Sequence, residues 1–153
     1  MRVTIKVAAV IVNKKNEVLL IKERQGGEGN FKWNLVKGTY DDSRETIKDC
    51  IKREIKEEIG LNAKNFKLKK IFHYGDNDNL RILFVFSVNY ISGDILIPPR
   101  KIQLLRNENI NSFEWFNEKK ISLVGKKDFM ASYVYLSLKK MDEKKDDIEI
   151  IKI

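Results

Sequence analysis

The chain has 153 residues, 42% of them hydrophobic and 34% charged, which suits one domain with a core of its own. A single cysteine, Cys50, excludes a disulfide framework or a cysteine-cluster metal site, and a single histidine, His73, excludes sites that need several imidazoles. Metal chemistry here must run on carboxylates. Thirty basic residues against 22 acidic ones leave a net charge of +8. That excess favours polyanionic partners such as nucleotides, polyphosphates or nucleic acid, and is equally compatible with a solvated lysine-rich surface.

The N-terminus runs straight into a strand pattern over residues 3–12, without a charged-then-apolar leader. No apolar run approaches the roughly 20 residues that cross a bilayer. The expectation is a soluble cytoplasmic protein with no membrane partner. Residues 13–16 read as a turn and 17–22 as a hairpin strand. Residues 25–30 are a glycine-rich surface loop without the spacing or lysine of a phosphate-cradling loop. A short strand over 31–36 precedes a loop at 37–43. A helix then runs from an N-cap at Ser43 to Ile59, where Gly60 stops it.

Two strands are expected at 66–74 and 80–90, joined by a turn at 75–79. Residues 91–109 read mainly as loop, broken by Gly93 and Pro98-Pro99. A further strand covers 111–116, and Asn117 caps a helical turn through Leu123. Helical periodicity covers 127–141. The expected domain is 1–141, followed by a charged tail at 142–153 that forms a frayed end or a late strand. Strands, one helix, more strands and a final helix indicate an α/β class with helices packed on a mixed sheet.

The informative segment is the central helix. At 100° per residue, Ile47, Ile51 and Ile55 form an inward stripe, with Cys50 and Ile59 at its edges. Cys50 reads as a small core residue. Lys48, Asp49, Lys52 and Lys56 face outward. Glu54 projects between Cys50 and Ile47, Glu58 close to Ile51, and Glu57 at the margin. Acids crowded beside a buried stripe are costly unless neutralised. Ion pairs with nearby lysines would do it; so would a hard divalent cation, Mg²⁺ or Mn²⁺ in its place.

Arg53-Glu54-Ile55-Lys56-Glu57-Glu58-Ile59-Gly60-Leu61 resembles the second half of the Nudix signature: Arg-Glu, an aliphatic residue, any residue, Glu-Glu, any residue, Gly, an aliphatic residue. Glu45 lies eight positions before Arg53, where the signature also has Glu. The glycine end departs from it. Six residues separate Gly38 from Glu45 where the signature has five, which places Thr39 at the expected spacing, and Arg44 replaces the usual glycine before Glu45. One extra loop residue, with Gly38 kept as the signature glycine, describes this best.

The resemblance implies a Nudix-type α/β/α sandwich and a MutT-like hydrolase that cleaves a pyrophosphate bond in a nucleoside diphosphate linked to another group. It implies Mg²⁺ on Glu54, Glu57 and Glu58, with Glu58 the strongest ligand and the Gly38 carbonyl a backbone ligand. Arg53 would orient the glutamates and Glu45 would position that arrangement. The general base comes either from the helix or from a later loop, where Glu108 ranks ahead of Glu114. Lys6, Lys22, Arg24, Lys37 and Arg81 are the basic residues available to phosphate, with Lys37, beside the motif, first among them. Phe31, Trp33, Phe72, Tyr74 and Phe84 are available to stack on a base, though most aromatics in strands belong to the core. Nucleoside triphosphates and dinucleoside polyphosphates lead the substrate classes, and capped or triphosphorylated RNA stays open. The alternative is a catalytically inactive Nudix-like domain that binds nucleotide or RNA. Both monomer and homodimer fit.

Overall fold

The computed structural model describes residues 1–27, 29–90, 92–139 and 147–153. The chain begins with β1 (Arg2–Val12), β2 (Val18–Glu23), β3 (Lys32–Asn34) and β4 (Val36–Thr39), followed by the helix α1 (Ile47–Ile59). Next come β5 (Lys64–Gly75), β6 (Asn79–Asn89), α2 (Arg100–Leu105), β7 (Ile110–Phe116) and α3 (Glu118–Leu123). A 3-10 turn at Lys126–Asp128, α4 (Ser132–Leu138) and β8 (Glu149–Lys152) complete the described chain. The strands form one mixed sheet ordered β3-β2-β1-β6-β5-β8, with β4 also paired to β1 and β7 to β2.

β1 is the organising strand. It is parallel to β6 along its whole length and antiparallel to β4 over Lys6 to Ala9. Its side chains alternate between two cores, as the two-residue strand period requires. Val7, Ala9 and Ile11 meet Ile51, Ile55 and Ile59 of α1 on one face. Ala8 and Val10 meet Phe72, Phe129, Tyr133 and Val134 on the other. The architecture is therefore helix, mixed sheet, helix. Among the described residues no helix is long and apolar enough to cross a membrane.

Three local expectations are corrected. The segment 37–43 is not all loop, because its first residues continue β4. Leu35 and Val36 enter opposite cores while Lys37 and Gly38 pair with β1, and a glycine hides the strand's alternation. Ser43 is not the N-cap. Thr46 is, because Asp49 three residues later completes a reciprocal capping box. Residues 92–109 are mainly loop, as expected, and hold one short helix, α2, fixed by Gln103 rather than by an apolar stripe. The buried Gln103 amide donates to the Pro98 and Ile110 carbonyls and accepts from the Ile110 N–H. The final helix is split, because Phe129 adopts an extended conformation after the 3-10 turn. The rest of its expected span, residues 140–141, and the tail at 142–146 lie outside the described residues. The last residues of the tail do form a strand, β8, parallel to β5.

Candidate active site

A cleft of about 600 Å³ opens where β4, α1 and the α2–β7 loop converge. Gly38 and Glu54 touch across it. A Cβ placed on Gly38 would lie 1.9 Å from Glu54 Cδ and 2.3 Å from Cγ, so any larger residue here would displace the Glu54 carboxylate from its present position. Gly38, and not Thr39, therefore makes the close approach. Thr39 contributes its carbonyl, which accepts the Cys50 thiol at 3.6 Å. Burial pushes that thiol up to about 12, which fits a core residue and not a nucleophile.

Arg53 ties the acids together. It donates to Glu45 through Nη2 at 2.8 Å and Nε at 3.2 Å, to Glu54 at 2.7 Å and to Glu57 at 3.5 Å. The hydrogen bonds from Arg53 hold the Glu45 carboxyl below its usual range, so Glu45 stays ionised and anchors the guanidinium. Glu58 is buried and accepts the backbone N–H of Lys37 at 3.2 Å. Burial raises its pKa well above the carboxylate range, with Glu23, Glu54 and Glu108 adding to the shift. Burial likewise pushes Glu54 up to about 7, reinforced by Glu57 and Glu108 and opposed by Arg53.

Glu108 enters from the α2–β7 loop, which is fixed at several points. Its N–H donates to the Gln103 carbonyl at 2.8 Å, and its own carbonyl accepts from Arg100 at 3.1 Å. Arg106 Nη1 reaches the Glu57 carbonyl at 2.8 Å, fastening the loop to the helix. Burial also raises the Glu108 pKa, and its Oε2 is buried without a hydrogen-bond partner. One carboxylate oxygen each from Glu54, Glu57 and Glu108 lie within 4.8 Å of one another. Three converging carboxylates, two of them reluctant to ionise in place and one with an orphaned oxygen, fit a hard divalent cation. Glu58 lines the same cleft but stands outside that group of three, against the Lys37 backbone. Glu114 lies elsewhere, paired with Lys120.

The sequence reading missed Glu23, Asn34 and Tyr133. The Tyr133 hydroxyl donates to Asn34 Oδ1 at 2.9 Å, Asn34 Nδ2 donates to Glu23 at 2.5 Å, and Glu23 pairs with Lys37 Nζ at 3.2 Å. Burial works against the Lys37 ammonium, but Glu23, Tyr133 and Glu58 outweigh it and raise its pKa. Nothing in the local sequence marks these residues, because the network joins two neighbouring strands to a helix 99 residues later. Of the other basic candidates, Lys6 and Arg24 also line the cleft, Lys22 lies over the Trp33 ring, and Arg81 lines two neighbouring depressions. Of the aromatics, Phe72 is core, Trp33 packs edge-on against Phe116, and Tyr74 lines one of those depressions.

The family profile described as "NUDIX domain" matches residues 3–137. No curated protein sequence matches the chain. Similar folds are found among solved structures. A MutT protein from Methanosarcina mazei Go1 is 23% identical with a TM-score of 0.67, covering 86% of this chain and 87% of its own. A MutT NUDIX hydrolase from Burkholderia pseudomallei is 20% identical with a TM-score of 0.69, covering 90% and 97%. A MutT protein from Bacillus halodurans is 21% identical with a TM-score of 0.68, covering 97% and 89%.

Proposed function

Because the chain belongs to the NUDIX domain family, we propose that it is a hydrolase acting on a pyrophosphate bond of a nucleotide-like substrate, with Mg²⁺ as cofactor. The observation that carries this reading is the convergence of Glu54, Glu57 and Glu108 within 4.8 Å at the cleft. These three would hold the cation, with Glu58 and the Gly38 carbonyl beside them. A cation bound there lowers the pKa of water and offsets charge that develops on phosphoryl oxygens. Arg53 keeps the helix carboxylates aligned. Lys37, aligned by Glu23, presents positive charge to a phosphate entering the cleft. Glu108, whose Oε2 is buried without a hydrogen-bond partner, is also the loop residue placed to accept a proton from an attacking water.

The test is hydrolysis across a panel of nucleoside triphosphates, oxidised triphosphates, dinucleoside polyphosphates, nucleotide sugars and 5′-triphosphate RNA, with products identified by mass. Turnover is expected with Mg²⁺, is retained with Mn²⁺, and stops with chelator. Glu58→Gln is expected to lose it as well. Folded protein that binds members of the panel and turns over none would make this an inactive nucleotide- or RNA-binding domain.

Glu108→Gln separates the loop base from the helix. It is expected to lower kcat by about 10²–10⁴-fold, the usual contribution of a positioned general base. The pH–rate profile should lose its acidic limb. A variant with near-normal kcat and an intact limb would return the role to the helix glutamates.

A further inference from the structure

The acids of the cleft end abruptly on one side. Its lining mixes Glu23, Asp41 and the helix glutamates with cations, but Lys6 and Lys37 also line a second depression of about 300 Å³, beside Arg81. Lys6 and Arg81 in turn line a third of about 320 Å³, beside Arg2. Neither the second nor the third has an aspartate or glutamate in its lining. The sheet register explains the continuity. Arg2, Thr4 and Lys6 share one face of β1, Arg81 sits beside Thr4 on β6, and Lys37 sits beside Ala8 on β4. From Arg2 to Lys6 the strip spans ~13 Å at the usual strand rise.

The cations of this strip are unneutralised where they lie farthest from the acids. Lys37 has Glu23, but among the described residues no carboxylate lies within ion-pair distance of Lys6 or Arg81. Burial, then the neighbouring charges of Lys37 and Arg81, depress the Lys6 pKa, with Glu23 opposing them. The strip also lacks an open aromatic plane. Arg81 lies over the Tyr74 ring, and Tyr133 is buried with its hydroxyl engaged. Single-stranded nucleic acid needs such platforms for its bases, whereas a bare phosphate chain needs only the cations.

We propose that the strip of Lys6, Arg81 and Arg2 is a subsite for a linear polyphosphate chain, so that the preferred substrate carries further phosphates beyond the bond cleaved at the carboxylates. The proposal rests on the hydrolase reading for the position of that bond. A dinucleoside polyphosphate and inorganic polyphosphate share the chemistry.

Equilibrium binding without turnover tests it. Inorganic tripolyphosphate and inorganic pyrophosphate are titrated calorimetrically into the full chain, in chelator and at matched ionic strength. Tripolyphosphate is expected to bind at least tenfold more tightly. K6Q/R81Q, checked for its fold by circular dichroism, should lose most of that preference, and K6R/R81K should restore it. K48Q, on the outer face of α1, should leave it intact. Equal affinity for the two anions, an equal loss in K48Q, or no rescue would overturn the subsite. So would displacement of tripolyphosphate by 5′-monophosphorylated single-stranded RNA at equal or lower concentration, which would make the strip a polynucleotide track. Comparing kcat/KM for diadenosine tetraphosphate with release of phosphate from inorganic polyphosphate identifies the source of the chain. Because the titrations use no turnover, a chain preference without hydrolysis would sink only the hydrolase reading. Hydrolysis without the preference would sink only the subsite.

Discussion

Gly38→Ala is expected to lower kcat by about 10²-fold while leaving a folded protein. The added methyl would stand 1.9 Å from Glu54 Cδ and 2.1 Å from its Oε1, so one of the two chains must move. β4 cannot retreat easily, because its ladder with β1 fixes residues 36–39 against the most buried strand of the sheet. The Glu54 carboxylate is the part that yields. It would swing away from Glu57 and Glu108 and strain its bond to Arg53. Overpacking of this kind costs about 1–3 kcal/mol of stability. A displacement near 1 Å in a positioned group costs about 10²-fold in rate. Thermal unfolding and kcat, measured together, check both numbers. Thr39→Ala is the informative comparison, because it keeps the carbonyl that accepts the Cys50 thiol and meets no such obstacle. If the two variants lost similar amounts of activity, the close approach at Gly38 would not be what aligns the glutamate.

The same contact shows what the sequence could and could not reveal. The helix was legible because its signals are local: an isoleucine stripe, a stop at Gly60, and acids on the wrong side of the wheel. The strands of β1, β5 and β6 were legible for the same reason, since their apolar runs lie within a single segment. β4 was not. Its strand character comes from pairing with β1, and its glycine is explained only by a side chain sixteen residues later. α2 was hidden because six residues held by one glutamine amide have no hydrophobic period to read. The Glu23–Asn34–Tyr133 network joins residues up to 99 positions apart and leaves no trace in spacing. Glu108 could be ranked among loop acids, but its meeting with Glu54 and Glu57 depends on Arg106, which fastens the loop to a helix carbonyl 49 residues earlier.

Glu54 costs the empty fold stability once it ionises, so its effect on stability opposes its function. Glu54 is pushed up to about 7, chiefly by burial, from an ordinary value of 4.5. Below pH 4.5 its carboxyl is protonated in both folded and unfolded chains, and it imposes no pH-linked cost. As pH rises from 4.5 through 7 the unfolded chain releases this proton first. The folded state then loses stability, and the loss is complete above 7. A shift of that size corresponds to roughly 2–3 kcal/mol after allowance for partial solvation. Glu54→Gln removes the ionisation but keeps an oxygen that accepts from Arg53. In chelator at pH 8 the variant should therefore unfold at higher denaturant than wild type, and the gap should close at pH 4.5. With Mg²⁺ at pH 8 the order should shift back. A cation that binds only the native carboxylates stabilises wild type by mass action and gives the variant little. Turnover should meanwhile fall by at least 10²-fold. Parallel pH dependence in the two proteins would mean that Glu54 ionises freely in the folded chain. A site that is unstable when empty and stabilised when loaded is what converging buried carboxylates should produce, and this pair of titrations reads that property directly.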